Sequence, residues 1–294
     1  MRRGLCLRFV RSTACRVARG AAPVLTMLTL AAAAHAQGLP LANSPLSNMD
    51  ACNGKEGAAP EAQILGCSAL IKNEDGSKLL AVAYNNRGNA YVAEARYDLA
   101  IEDYTAAIKI KGDYAKAYNN RGIAHERAGQ YDDAIQDFGA AIGIDADYAE
   151  AFANRAQTYA TKGDMADALK DFDAAIRLRP GSGALWNDRC WTRAINGDPQ
   201  AALADCDEAV RLMPNAAAPL DSRGLAYLKL NQWAPAIADY DAALRIAPKL
   251  PSALYGRGLA KLKNGDVAGG NADIASAKTA EPKIAERFAR YGLS

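Results

Sequence analysis

Arginine recurs at Arg87, Arg121, Arg155, Arg189, Arg223 and Arg257, each 34 residues after the last. Aspartate keeps the same step at Asp103, Asp137, Asp171, Asp205, Asp239 and Asp273, and alanine does so at Ala107, Ala141, Ala175, Ala209, Ala243 and Ala277. Three columns in register over six periods require a stack of equivalent units, because a fixed period of this length is the signature of a repeat architecture. One such unit cannot bury its apolar stripe alone, so the units must pack on one another.

Units starting at 81, 115, 149, 183, 217 and 251 place a large apolar residue at the fourth position (Tyr84, Tyr118, Phe152, Trp186, Leu220, Leu254). A small one stands at the eighth (Gly88, Gly122, Ala156, Cys190, Gly224, Gly258). The twentieth is Ala100, Ala134, Ala168, Ala202, Ala236 and Gly270, and the twenty-fourth is Tyr104, Phe138, Phe172, Cys206, Tyr240 and Ile274. Position 32 is proline in the last four units, Pro180 to Pro282. The spacing predicts two amphipathic helices per unit, the small residues allowing close approach and the large ones filling the space between. Between them lie Gly129-Gln130, Gly163-Asp164, Gly197-Asp198-Pro199 and Gly265-Asp266, where glycine suits a helix stop, aspartate a cap and proline a first turn.

The pattern resembles the tetratricopeptide repeat (TPR) over residues 81–284. The resemblance implies an all-α, right-handed α-solenoid of six helical hairpins over 81–280. The seventh position, usually leucine in that family, is arginine in all six units. Two readings apply: a basic ligand-binding stripe, or ion pairs Arg87–Asp103 through Arg257–Asp273 across each hairpin. The second is preferred, since an arginine fork matches a carboxylate bidentately and matched charges that recur together satisfy each other. The spacing leaves open whether the partners belong to one unit or to neighbours.

Outside the repeats the chain divides further. Residues 1–36 hold Arg2, Arg3, Arg8, Arg11, Arg16 and Arg19 with no acid, then an apolar run of about 14 residues and Ala34-His35-Ala36. That is the pattern of a signal peptide cleaved near Ala36, too short to span a bilayer, where roughly 20 residues are needed. It predicts a periplasmic or secreted protein. The whole chain has 35 basic and 33 acidic residues; without those six arginines the balance is 29 to 33, a net charge of −4. A basic surface for nucleic acid is thereby excluded. Residues 37–48 are expected to be a linker, 49–80 a degenerate helical hairpin capping the N-terminal edge, and 281–294 a C-terminal helix capping the last repeat through Ile284, Phe288 and Tyr291. The cysteine-tied hairpin followed by Arg-Gly repeats resembles exported TPR proteins of Gram-negative bacteria.

Cys52, Cys67, Cys190 and Cys206 remain after export, an even number, which suggests disulfides. Cys190 and Cys206 fill the facing eighth and twenty-fourth positions of one unit; the alternatives are a redox pair or two buried thiols. A single histidine, His125, remains; at position 11, where the family has tyrosine, it reads as a core filler. With no metal-binding cluster, cofactor motif or evident base, the chain reads as non-enzymatic.

In the family, positions 2, 5, 6, 9, 12 and 13 of the first helices line a concave groove. Here these supply Asn85, Asn86, Asn89, Lys116, Asn119, Asn120, Ile123, Asn154, Gln157, Asn187 and Trp191. The repeated asparagines are similar to the asparagine ladder of the solenoid of O-GlcNAc transferase, and an amide offers a peptide both donors and an acceptor; equally, they could serve only to cap or solvate helices. Lys116 alone matches the carboxylate clamp of chaperone-binding members, so an acidic C-terminal tail is not the expected ligand. Trp191, Ile195, Leu225, Leu228, Leu259 and Leu262 make the second half of the face apolar. The expected function is a scaffold binding extended protein or peptide segments in the periplasm; the alternative is a solenoid for a peptidoglycan fragment or small ligand.

Overall fold

The computed structural model describes residues 45–73 and 78–293, which lie in a single compact unit beginning at Pro45. The signal-peptide reading of 1–36 and the linker stretch up to residue 44 fall outside the described residues. All regular structure among those described is helical, α1 to α15.

The six repeats form hairpins α3 (Lys78–Ala93) with α4 (Tyr97–Ile110), α5 (Ala115–Arg127) with α6 (Tyr131–Ile144), and α7 (Ala149–Lys162) with α8 (Met165–Leu178). They continue as α9 (Gly183–Ile195) with α10 (Pro199–Leu212), α11 (Ala217–Lys229) with α12 (Trp233–Ile246), and α13 (Pro251–Lys263) with α14 (Val267–Ala280). Each helix packs mainly on its chain neighbours, and each first helix also touches the next first helix all along the stack: α3 to α5, α5 to α7, α7 to α9, α9 to α11 and α11 to α13. This nearest-neighbour stacking is the solenoid that the period requires.

Within a hairpin the small eighth residue meets the large twenty-fourth. A methyl group on Gly122 would come within 2.7 Å of the Phe138 ring, so only a residue without a side chain lets that ring lie flat against the first helix. Tyr104 and Tyr240 lie against Gly88 and Gly224 in the same way, and Phe172 is buried opposite Ala156; the four rings are fully buried, each worth about 2–3 kcal/mol of burial. Cys190 and Cys206 take over both places in the fourth unit and are bonded, with Cα atoms 5.3 Å apart.

The four glycine turns adopt positive φ: 79° at Gly129, 94° at Gly163, 91° at Gly197 and 94° at Gly265. In the two units lacking glycine there, Ala95 (57°) and Asn231 (58°) are forced into the same left-handed conformation. Asp198 and Asp266 cap the following helices, accepting from Ala201 N and Gly269 N, whereas Asp164 makes no side-chain cap bond.

At the N-terminal edge, α1 (Pro45–Cys52) and α2 (Pro60–Asn73) pack together and are joined by a Cys52–Cys67 disulfide, Cα atoms 4.6 Å apart. Helix α1 begins within the expected linker: Pro45 stands at its first position, where the missing N–H is no loss and the fixed φ suits a helix. At the other end, α15 (Ile284–Arg290) buries Ile284 and Phe288 completely.

Candidate functional site: the face of the first helices

The arginine column is internal. Each arginine grips the aspartate of its own unit through Nε and Nη2, at 2.8 and 2.7 Å for Arg87–Asp103 and 2.7 and 2.6 Å for Arg257–Asp273. The other four pairs, Arg121–Asp137, Arg155–Asp171, Arg189–Asp205 and Arg223–Asp239, repeat this fork. All six aspartates are buried. The ligand stripe is therefore not what these arginines form.

A second link, which the spacing did not reveal, comes from Nη1. It reaches the second helix of the preceding unit: Arg189 to Asp173 at 2.5 Å, Arg223 to Asp207 at 2.9 Å, Arg257 to Asp241 at 2.7 Å, Arg121 to Thr105 at 3.0 Å. Arg87 reaches Ser68 of α2 at 2.9 Å, tying the N-terminal hairpin to the first repeat. Position 25 supplies the acceptor, and its polar residues were the available signal. Position 11 adds a further cation to the same carboxylates: Arg193 to Asp205 at 2.8 Å and Lys261 to Asp273 at 2.9 Å. Although burial opposes ionisation of Asp273, hydrogen bonds from Arg257 and Lys261 outweigh it and hold the carboxyl below its ordinary range. His125 occupies the equivalent place. Rather than filling an apolar core, it is half-buried, donates from Nδ1 to Gln130 Oε1 at 2.6 Å and sets Nε2 3.7 Å from Asp137.

The asparagines do form a ladder, but it joins repeats to each other. Asn120 Nδ2 donates to Asn85 Oδ1 at 2.9 Å and to Asn89 Oδ1 at 3.0 Å; Asn154 Nδ2 donates to Asn119 Oδ1 at 2.9 Å. In the fifth unit Ser222 Oγ takes the same role toward Asn187 Oδ1 at 2.8 Å. The first rung is Asn86 Nδ2 to Asn53 Oδ1 at 3.2 Å, and Tyr104 donates its hydroxyl to Asn89 at 2.7 Å. Asn85 is 0% exposed and Asn119 4%, so the structure removes both from the groove surface: stacked first helices close over position 5, and the buried amides satisfy one another as low-dielectric surroundings demand. Asn187 is half-buried and engaged with Asp188 and Ser222. Burial pushes the Asp188 carboxyl upward, opposed by its bond from Asn187.

What the face presents to solvent is therefore narrower than the family positions suggest. Asn89, Lys116 and Gln157 are exposed, and Asn86, Asn120, Ile123 and Asn154 half-buried. At the N-terminal end the face opens into an apolar hollow of about 250 Å³ between α1, α2 and α3, lined by Met49, Leu70, Leu79 and Val82. A second hollow, of about 430 Å³, lies over the third and fourth units between Gln157, Met165, Trp191, Ile195, Arg290 and Tyr291.

The apolar half of the face, expected to stand open, is filled by the chain itself. The C-terminal segment does more than cover the last repeat: Phe288 of α15 packs on Tyr255 with ring centroids 4.8 Å apart and the rings tilted at 55°, and Tyr291, just after the helix, meets Trp191 edge-on at 5.6 Å. Lys229 Nζ donates to the Tyr291 carbonyl at 2.6 Å. Leu225, Leu228 and Leu259 belong to the same core as Ile284 and Phe288. Trp191 thus belongs as much to an intrachain contact as to a free groove.

Sequence models of this repeat match the chain at residues 88–129 and 224–265 ("TPR repeat") and at 115–148 and 153–217 ("Tetratricopeptide repeat"), together more than half its length. The chain belongs to the tetratricopeptide repeat family. Comparison with curated proteins gives no match. Among solved structures, a TPR protein from Parabacteroides merdae is similar at 17% identity and a TM-score of 0.65, over 84% of this chain and 96% of that one. The Pseudomonas aeruginosa pilF protein is similar at 16% identity and 0.61, over 71% and 95%. YrrB, described as a TPR protein with an unusual peptide-binding site, is similar at 20% identity and 0.50, over 62% and 94%. At these identities the likeness is one of TPR fold. No helix among the described residues is long and apolar enough to cross a membrane.

Proposed function

We propose that this TPR protein is a non-catalytic protein-interaction scaffold of the cell envelope, exported by its N-terminal segment and binding an extended protein segment along the first helices of units one to three. The supporting observation is the open polar path from Asn86 through Lys116, Asn120 and Asn154 to Gln157, which ends at the hollow beside Trp191. Its base is stiffened by the asparagine ladder, so a ligand meets a surface already ordered. Asn120 has committed its amide nitrogen to Asn85 and Asn89, so toward a ligand it offers the amide oxygen, an acceptor for a backbone N–H. The YrrB description, a peptide-binding TPR protein, is consistent with this reading.

Photo-crosslinking residues installed singly at Lys116 and Gln157 are expected to capture the same protein from the periplasm, while one at Lys109, on a second helix, captures none. Equal capture from all three positions overturns the proposal. N-terminal sequencing of the exported chain is expected to begin at Gln37; recovery of the intact N-terminus in the cytoplasmic fraction overturns the export part.

A further inference from the structure

Helix α15 is an unusual cap. It is only seven residues long, follows Pro282, packs on α13 and α14 and buries two of its own side chains fully, and Tyr291 just after it carries the contact on to Trp191 and Lys229 of units four and five. Its apolar side, Ile284, Phe288 and Tyr291, has the i, i+4, i+7 spacing by which an amphipathic helix enters a groove. The acceptor surface is complementary in kind. Tyr255 and Trp191 offer aromatic faces to Phe288 and Tyr291, and Leu225, Leu228 and Leu259 form the floor.

Beneath this helix the polar fit is incomplete. Asp221 is buried between α11 and α13, accepting from Ser252 Oγ at 2.6 Å, and burial raises its carboxyl to about 6 even though Arg287 of α15 opposes the shift. Tyr240 Oη, which presses into the space left by Gly256, and Arg287 Nε are both buried without a hydrogen-bond partner. Unsatisfied buried groups carry a desolvation cost that the docked helix does not recover. The aromatic contacts hold α15 in place, while its one cation facing this floor, Arg287, pairs with Glu281 at 3.2 Å and leaves its own Nε without a partner.

We propose that the C-terminal half of this face is a helix-recognition site, that α15 occupies it as a tethered mimic, and that a partner protein presenting an amphipathic helix with the same aliphatic–aromatic–aromatic spacing and a basic residue near the position of Arg287 takes its place. This rests on the scaffold reading above but concerns units four to six instead of one to three. A tethered segment of this length acts at millimolar effective concentration, so a free competitor gains access in proportion to how far the intrachain contact is weakened. Displacement would also lengthen the open path, joining the hollow at Gln157 and Trp191 to the face of the last three units.

The test uses a fluorescein-labelled synthetic peptide of residues 281–294 and measures anisotropy against the full chain. Phe288→Ala is expected to bind this probe at least ten-fold more tightly than the wild-type chain, and Tyr291→Ala at least three-fold. Adding Trp191→Ala to Phe288→Ala is expected to remove the gain. Equal binding by wild type and both variants, with the helical signal retained, overturns the proposal. Loss of folding in both variants also overturns it, since α15 is then an indispensable part of the core. So does a wild-type chain that light scattering shows to be a dimer which the probe dissociates, because the occupant is then a second copy. Lys116 and the asparagines take no part in this assay, so a negative result here leaves the crosslinking test of units one to three standing.

Discussion

At the scale of single residues, the repeat tolerates departures that the structure locates and that substitution should correct. Ala95 sits at a helix stop with φ 57°, where the Cβ crowds the following carbonyl and a left-handed conformation costs about 1–2 kcal/mol. Ala95→Gly is expected to stabilise the chain by about 1 kcal/mol in urea unfolding, despite the extra freedom it gives the unfolded state. Gly139 occupies the position at which other units supply the second acceptor for their arginine. A Cβ placed there lies 3.4 Å from Arg155 Nη1, and Arg155 makes the intra-unit fork to Asp171 without a link like that of Arg189 to Asp173. Gly139→Asp is expected to add about 1 kcal/mol, from better helix propensity plus a partly exposed ion pair, and the gain should shrink in 1 M salt. Asn120→Ala, by contrast, is expected to lower stability by about 1–3 kcal/mol, because Asn85 loses its donor inside the stack.

At the scale of elements, α15 and the helices under it form a unit whose stability depends on pH. Asp221 has its carboxyl raised to about 6 in the folded chain, against about 4 when unfolded. The folded form therefore holds a proton that the unfolded form has released between these values. Its stabilising contribution becomes complete as pH falls well below 4 and is lost as pH rises through 6. Asp221→Asn should abolish this dependence: the stability of wild type relative to the variant is expected to fall by about 2 kcal/mol between pH 4 and pH 7. The paired Asp273 acts in the opposite sense, adding stability that is lost as pH falls through its depressed value, so the comparison must be made against the single variant and not by absolute stability. Helix boundaries were legible here because capping glycines and apolar spacing act over a few residues. The helical character of Pro45 to Asn48 was not, since proline and serine serve a helix start as readily as a linker.

At the scale of the whole molecule, a stack stabilised by neighbour contacts unfolds from its weaker end. The N-terminal units are linked by hydrogen bonds of the ladder and of Arg87 and Arg121, whereas units four to six are braced by α15, by a disulfide within unit four and by inter-unit ion pairs from Arg189, Arg223 and Arg257. Amide hydrogen exchange is expected to show α3 to α6 opening at lower free energy than α9 to α13. Phe288→Ala should narrow the difference by exposing α11 and α13 and leave α3 to α6 unchanged.

Much of this protein follows from one column of numbers. A 34-residue step, with small and large residues at set offsets, determines two helices per unit, and an arginine sixteen residues from an aspartate can find it across a single hairpin because both sit on rigid, adjacent helices. The pairing of the two columns was legible for that reason and was preferred over a free basic stripe, but that each pair closes within its own unit came from the structure. Tertiary structure alone decided the rest. The rungs of the ladder span 35 residues from one unit into the next, so which amide turns inward at position 5 and which outward at position 6 depends on how hairpins stack. The contact of Tyr291 with Trp191 joins residues 100 positions apart and depends on how the last three hairpins stack. Spacing along a chain specifies neighbours within a rigid element; it does not specify which surface a distant segment will cover, and here that surface is the apolar half of the binding face.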